Sequence, residues 1–124
     1  MIHKTAIIDS NANISENVKI GPYSIIGPDV EIVKDTIIQS HVNITGQTKI
    51  GKNNIIYPFA SIGNDPQDLK FQGEETKLEI GNNVEIGGGS GVIKNIPDNT
   101  KVMGYPAKNI REFLRDNKWY TKLL

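Results

Sequence analysis

A parallel β-helix built from six-residue repeats is the fold this sequence predicts, on three observations. Isoleucine stands at Ile2, Ile8, Ile14, Ile20, Ile26, Ile32, Ile38, Ile44, Ile50, Ile56 and Ile62, eleven consecutive positions at a period of six. Only twenty of the 124 residues are isoleucine, so this regularity is not a by-product of composition. Two residues before each isoleucine from Ile8 to Ile62 runs a second column: Ala6, Ala12, Val18, Ser24, Val30, Thr36, Val42, Thr48, Asn54 and Ala60. All but Asn54 are small or β-branched. Glycine often follows the isoleucine, as at Gly21, Gly27, Gly51, Gly63, Gly81 and Gly87.

A period of six matches neither the 3.6 of a helix nor the 2.0 of one long strand. It matches short strands separated by turns, in which side chains i and i−2 share one side. Turn residues that tolerate a left-handed backbone fall between the strands, as at Glu16-Asn17, Pro28-Asp29 and Lys52-Asn53-Asn54. Three strands close a triangular coil of 18 residues, and successive coils stack at about 4.8 Å, the distance between paired strands. The isoleucine column then fills the prism, and the small column lies near its corners. β-Branched side chains suit such a stacked pleat.

The phase breaks once. Positions 68 and 74 hold Asp68 and Glu74, which do not fill an apolar core, and the phase resumes at Ile80, Ile86 and Val92. Residues 64–77 (NDPQDLKFQGEETK) therefore read as a loop leaving the coil, after which Ile80 re-enters as the next hexad. Long loops on a rigid scaffold are more often functional than decorative, the alternative being a tolerated surface insertion. Fourteen hexads remain, which make four to five coils. Val92 to Asp98 closes the last coil, and Val102 to Lys108 forms an extended exit. Residues 1–108 are thus the β-helix, with its excursion at 64–77. Asn109 to Leu124 reads as a C-terminal α-helix: Asn109 and Glu112 have capping-box spacing, and Ile110, Phe113 and Leu114 make an apolar stripe that Trp119, Tyr120, Leu123 and Leu124 extend. Its expected role is to cap the open end of the prism or to pack on a neighbouring subunit.

Bulk properties exclude several classes of function. Fourteen basic and fourteen acidic residues give no net charge, so no overall field attracts nucleic acid or an anionic membrane. Cysteine is absent, which removes disulfides, thiolate zinc sites and thiol catalysis. With two histidines, the three-histidine metal site of a carbonic anhydrase is excluded, and neither a metal nor a cofactor is expected. Neither a secretion signal nor a span of roughly 18 apolar residues is read, so a bacterial-type cytoplasm is the expected location.

Tyr23, His41 and Phe59 share an 18-residue spacing, so they should stack along one outer face. An external aromatic column suggests a subunit interface, hence a homotrimer packed along the prism faces.

With the repeats and the loop read, a resemblance follows. The stretches IGPYSIIGPDVEI, SHVNITGQTKIG and YPFASIGNDPQDLKFQGEETKLEIGNN resemble the N-terminal third of the acyl-carrier-protein-dependent UDP-N-acetylglucosamine O-acyltransferases, which start lipid A synthesis. The likeness covers residues 1–84, and the QDLK-x-x-GE-x-T loop is its most specific part. The segment GGGSGVIKNIPDNTKVMGYPAKNIREFL, within residues 87–115, is more similar to the C-terminus of the sister UDP-3-O-acylglucosamine N-acyltransferase. Its G-x-P-A-K element also occurs in acetyl-CoA-dependent hexapeptide acetyltransferases. The resemblance, not the period, implies a left-handed coil.

It also implies that Gln67, Asp68 and Lys70 bind substrate. An amide beside a carboxylate takes paired hydrogen bonds from sugar hydroxyls, and a lysine offers a point charge to phosphate. UDP-N-acetylglucosamine and acyl carrier protein or CoA are the implied partners. The family's general base, a histidine in a His-Asp-Cys element of the middle coils, has no counterpart. The chain passes from the family's early coils (IGNNVEI) to its closing coils (GGGSGVI) as though the middle were deleted. Acyl transfer to a hydroxyl needs a base to take the proton, and only His3 and His41 remain. The catalytic residue is thus unknown. His41 is the fallback, though its place in the column suits interface stacking better. Three functional expectations stand: a shortened transferase of reduced or lost activity, an active small acyl- or acetyltransferase with CoA at the Tyr105–Lys108 exit, and a non-catalytic trimeric β-helical module.

Overall fold

The structure, a computed structural model, describes residues 1–63 and 77–117. Short strands wind into a parallel triangular prism. One face carries Ile7–Ile8, Ile25–Ile26, Asn43–Ile44, Ser61–Ile62 and Gly91–Val92 in that spatial order. The second carries Asn13–Ile14, Val30–Ile32, Gln47–Ile50 and Lys77–Ile80, and the third Lys19–Ile20, Ile37–Ile38, Ile55–Ile56, Glu85–Ile86 and Lys101–Met103. Each of these pairs in parallel with the strand one coil away, as in Ile7↔Ile25 and Ile25↔Asn43, a step of 18 residues.

Isoleucine therefore stacks on isoleucine. Ile32, Ile44, Ile50, Ile56 and Ile62 are wholly shielded from solvent, and the small column shares the same dry interior. The corner column is polar in places: at Ser24, Thr36, Thr48 and Asn54 the side chain bonds backbone, whereas the buried Ser90 Oγ has no partner among the described residues. Ser24 Oγ donates to the Gln39 carbonyl at 2.8 Å, and Thr36 Oγ1 donates to the Gly51 carbonyl at 2.9 Å. Asn54, the odd residue in its column, is fully buried, and its side chain ties two coils together. Its Nδ2 donates to the carbonyls of Gly51 and Gly81 at 3.1 and 2.9 Å, and its Oδ1 accepts from Val84 N at 2.8 Å. A buried amide with its hydrogen bonds made is tolerable where an unpaired one is not.

Across residues 64–76 the register step becomes 30: Gln47 pairs with Lys77, Ile55 with Glu85 and Ser61 with Gly91. Twelve residues, two whole repeats, thus lie off the coil, and the strand Lys77–Ile80 re-enters in phase. The last coil departs from the period. Ile80 bridges to Ile96 and Ile86 pairs with Val102, a step of 16, because the corner between Val92 and Ile96 is two residues short. The phase position Asp98 is polar, and Ile96 takes the core site instead.

After Met103 the chain does not continue as an extended exit. Gly104, at φ +103°, turns it back, and Lys108–Asn109 pairs antiparallel with Val102–Met103. The turn brings the Tyr105 ring over Gly91, where a Cβ would lie inside the ring. A seven-residue helix, Ile110–Asp116, follows, capped by Asn109 Oδ1 accepting from Arg111 N at 2.9 Å. No helix residue is fully buried; Phe113 packs on Gly104, and Ala107 lies against the core. Trp119, Tyr120, Leu123 and Leu124, which the sequence reading adds to this helix, lie outside the described residues.

This packing sets a stability contrast. Ile44→Ala should lower unfolding free energy by about 2–5 kcal/mol, as core truncations do, whereas Lys49→Ala on the outer side of its strand should change it little. In chemical denaturation, equal sensitivity at both positions would contradict the packing. Asn54→Leu should cost about 1–3 kcal/mol for each backbone group it leaves unpaired.

Candidate functional site

Two of the prism's corners adopt left-handed backbone on successive coils, and they solve the requirement differently. One uses Asn17, Asp35, Asn53, Asn83 and Asn99, residue types that accept φ near +60°. Their side chains also pair between coils, as Asn17 Nδ2 does to Asp35 Oδ1 at 2.6 Å. The other holds Tyr23, His41 and Phe59 at φ +60°, +57° and +66°. Bulky side chains are outliers in this region, at a cost of order 1–3 kcal/mol each, and such outliers concentrate at functional sites.

These three rings stack. The Tyr23 and His41 centroids are 5.2 Å apart at 34°, and those of His41 and Phe59 are 4.8 Å apart at 18°. The column expected from the spacing is therefore present, on a vertex of the prism rather than flat on a face. Beside it the first face presents Ile7 and Ile25 outward, 65% and 42% exposed. The second face is charged at the same places, with Glu31, Lys49 and Glu79 in successive register, and the third ends in Glu85 bonded to Lys101 at 3.0 Å. Ile7, Ile25, Tyr23 and Phe59 thus make one exposed apolar area, while the third face turns the half-buried Ile37 and Ile55 outward.

His41 has a ring on each side, and among the described residues no hydrogen bond orients its imidazole. His3 Nδ1 faces Thr5, at 2.8 Å from the hydroxyl and 3.2 Å from the amide nitrogen, and Thr5 Oγ1 accepts from Tyr23 N at 3.0 Å. That arrangement ties down the first coil. Gln67, Asp68 and Lys70 lie outside the described residues.

At the C-terminal exit, a groove of about 440 Å³ has an apolar floor of Val92, Ile96, Val102 and Pro106, with Lys94 and Lys108 on its rim. Lys108 is already engaged, donating to Asp116 Oδ2 at 2.7 Å. The hydrogen bond to Asp116 raises the lysine pKa, and the same bond lowers that of the carboxyl. Both side chains reach solvent, with 37% and 38% of their surface exposed, so the pair anchors the helix only lightly. Its contribution fades in acid as Asp116 takes up a proton, and in strong base as Lys108 loses one.

One further feature is absent from the sequence reading. Gly89 continues the aromatic column: its N–H donates to the Pro58 carbonyl at 3.0 Å, as that of His41 does to Pro22. With a register step of 30 across the loop, position 59 leads to 89, so the spacing contained this signal.

Known proteins match this arrangement. The family model for the bacterial transferase hexapeptide (six repeats) matches residues 1–34. The acyl-[acyl-carrier-protein]–UDP-N-acetylglucosamine O-acyltransferase of Psychrobacter sp. (strain PRwf-1) is 56% identical over 85 residues, which are 68% of this chain and 33% of that one. The crystal structure of the Francisella novicida UDP-N-acetylglucosamine acyltransferase superposes with a TM-score of 0.80 at 34% identity, covering 85% of this chain and 42% of the other. The Acinetobacter baumannii LpxA structure gives 0.63 at 30% identity, covering 95% and 78%. The chain spans about a third to a half of the length of the curated relatives it matches. The fold is the left-handed parallel β-helix with a short C-terminal helix.

The strained vertex yields a test. Replacing Tyr23, His41 or Phe59 singly by Asn relieves backbone strain and removes stacking worth about 0.5–1.5 kcal/mol. The unfolding free energy of an isolated chain should therefore move by no more than about 2 kcal/mol in either direction. A loss of several kcal/mol would mean that the rings serve the fold itself.

Proposed function

Because this chain belongs to the hexapeptide-repeat acyltransferases, we propose that it is a shortened homologue of the lipid A pathway UDP-N-acetylglucosamine O-acyltransferase, trimeric, with reduced or no turnover. The likeness to the curated O-acyltransferases over 85 residues carries this reading. Gln67 and Asp68 hold sugar hydroxyls, and Lys70 approaches phosphate or the acyl donor. The acceptor hydroxyl lacks a positioned base, since His41 lies between two rings and His3 is bonded to Thr5. General-base catalysis contributes about 10²–10⁴-fold, so positioning alone is left to accelerate transfer.

Three prisms associate through the Ile7–Ile25 face and the edges of the Tyr23, His41 and Phe59 rings, where exposed apolar surface gathers. The cytoplasm is the proposed setting; among the described residues no helix is long and apolar enough to cross a membrane.

The assay is acyl transfer from carrier protein to UDP-N-acetylglucosamine by the native chain beside His41→Ala and Asp68→Ala. Binding that weakens in Asp68→Ala, with little or no turnover in any variant, is the expected result. Robust turnover abolished by His41→Ala would make His41 the base and overturn the reading. Light scattering at micromolar concentration should report a trimer, and a monomer would remove the assembly proposed here.

A further inference from the structure

The coils that carry the aromatic column leave its middle ring without a counter-charge. Residues 20–27, 36–48 and 54–63 hold Tyr23, His41 and Phe59 with their flanking strands, and contain no Asp, Glu, Lys or Arg. His41 is exposed, with the Tyr23 ring on one side at 5.2 Å and the Phe59 ring on the other at 4.8 Å. Of the two rings facing it, Tyr23 is the titratable one. Among the described residues His41 makes no ion pair. Along the third face the next charges in register are Lys19 below and Glu85 above, the latter held by Lys101 at 3.0 Å. His3 and Lys4 lie in the first coil, the His3 ring turned to Thr5. Two unlike flanks border this vertex: the first face, with Ile7 and Ile25 exposed, and the third, with Ile37 and Ile55 turned outward. Copies that close into a ring by rotation meet through two unlike surfaces of each chain.

We propose that His41 makes the association of prisms depend on pH: copies join with its imidazole neutral and separate as it takes up a proton. This rests on the assembly through the ring column proposed above. Joining covers the ring edges, so an imidazolium would lose its water. The faces of Tyr23 and Phe59 return part of that cost. A carboxylate, which would return the rest, is missing from these stretches of all three coils. A cyclic assembly repeats the charge once in every copy, so repulsion between like charges adds to the cost. Each copy therefore gives up one proton to join, and proton uptake opposes assembly. An imidazole in water takes its proton below about pH 6.5, so association is full above that range and fades beneath it. Histidine is the one ring type of the three that changes charge near neutrality. Its place between two rings that do not gives the column a single point of control.

The test is the mass of the full chain by light scattering at a fixed micromolar concentration, from about pH 7.5 to about pH 5.5, above the range in which ordinary carboxylates titrate. With one proton released per copy, the association constant of a trimer should fall roughly a thousandfold across that interval, and the mass should fall from trimer toward monomer. His41→Phe keeps a ring in a backbone that Phe59 already adopts, and should stay trimeric at both ends of the range. Its trimer at the acid end also shows that the prism has not unfolded there. His41→Tyr, after the example of Tyr23, serves the same purpose where the Phe variant does not fold. His3→Gln should keep the native response. A native chain that is trimeric at both pH values overturns the switch and leaves the assembly standing. An equal loss of mass in His41→Phe overturns it too, because the response then lies elsewhere. A native monomer at pH of about 7.5 removes the assembly and the switch together.

Discussion

Closure of a three-sided coil around one isoleucine per side is the constraint on which everything else rests. Each rung has to present the same interior width as the rung beneath, because the coils are joined by a continuous parallel ladder and the interior has no room for a second layer. Like side chains then stack on like, Ile26 on Ile44 and Ile44 on Ile62. Left-handed residues at the vertices follow, since a strand this short has to turn sharply at both ends. Extra chain length is admitted only off the coil and in whole repeats, as the step of 30 across residues 64–76 shows. Asn54 obeys the same constraint from the polar side. Its amide fits the column only because backbone groups of its own coil and the next take up each of these bonds.

The outside of the prism is freed from that constraint and differs from face to face. Charges alternate through Glu31, Lys49 and Glu79 on one side, where solvent is the natural neighbour. On another, Ile7 and Ile25 stand exposed next to rings held in an unfavourable backbone region. Asparagine or glycine would meet the conformational requirement at that vertex without strain, and does so at the opposite vertex and at Gly89. The choice of Tyr23, His41 and Phe59 is therefore explained by what their side chains contact and not by the turn.

Much of this was legible from residue spacing because a β-branched column at period six has few physical solutions. The isoleucine core, the stacking of Tyr23 on His41 on Phe59, and the two-repeat excursion all depend on counting alone. The end of the solenoid was not legible in the same way. There the period drops to 16, and the winner is local chemistry: Ile96 displaces the polar Asp98 from the interior, and Gly104 allows a reversal that an apolar count does not reveal. The Tyr105 ring over Gly91 is a contact between a turn and a strand, for which no periodic signal exists. As for the candidate site, the loop residues Gln67, Asp68 and Lys70 were named from resemblance and lie outside the described residues.

The reversal at Gly104 also bears on self-association of a different kind. A parallel solenoid that offers a bare strand edge at each end is a template for head-to-tail polymerisation, in which every added copy exposes a fresh edge like the last. Here the final parallel strand, Lys101–Met103, is already occupied on its outer side by Lys108–Asn109 running in the opposite direction. An incoming chain would meet an antiparallel partner with a shortened corner beside it, neither of which matches the 18-residue geometry of its own first coil. Growth of this polarity requires both ends to be compatible, and the antiparallel cover over this face works against it.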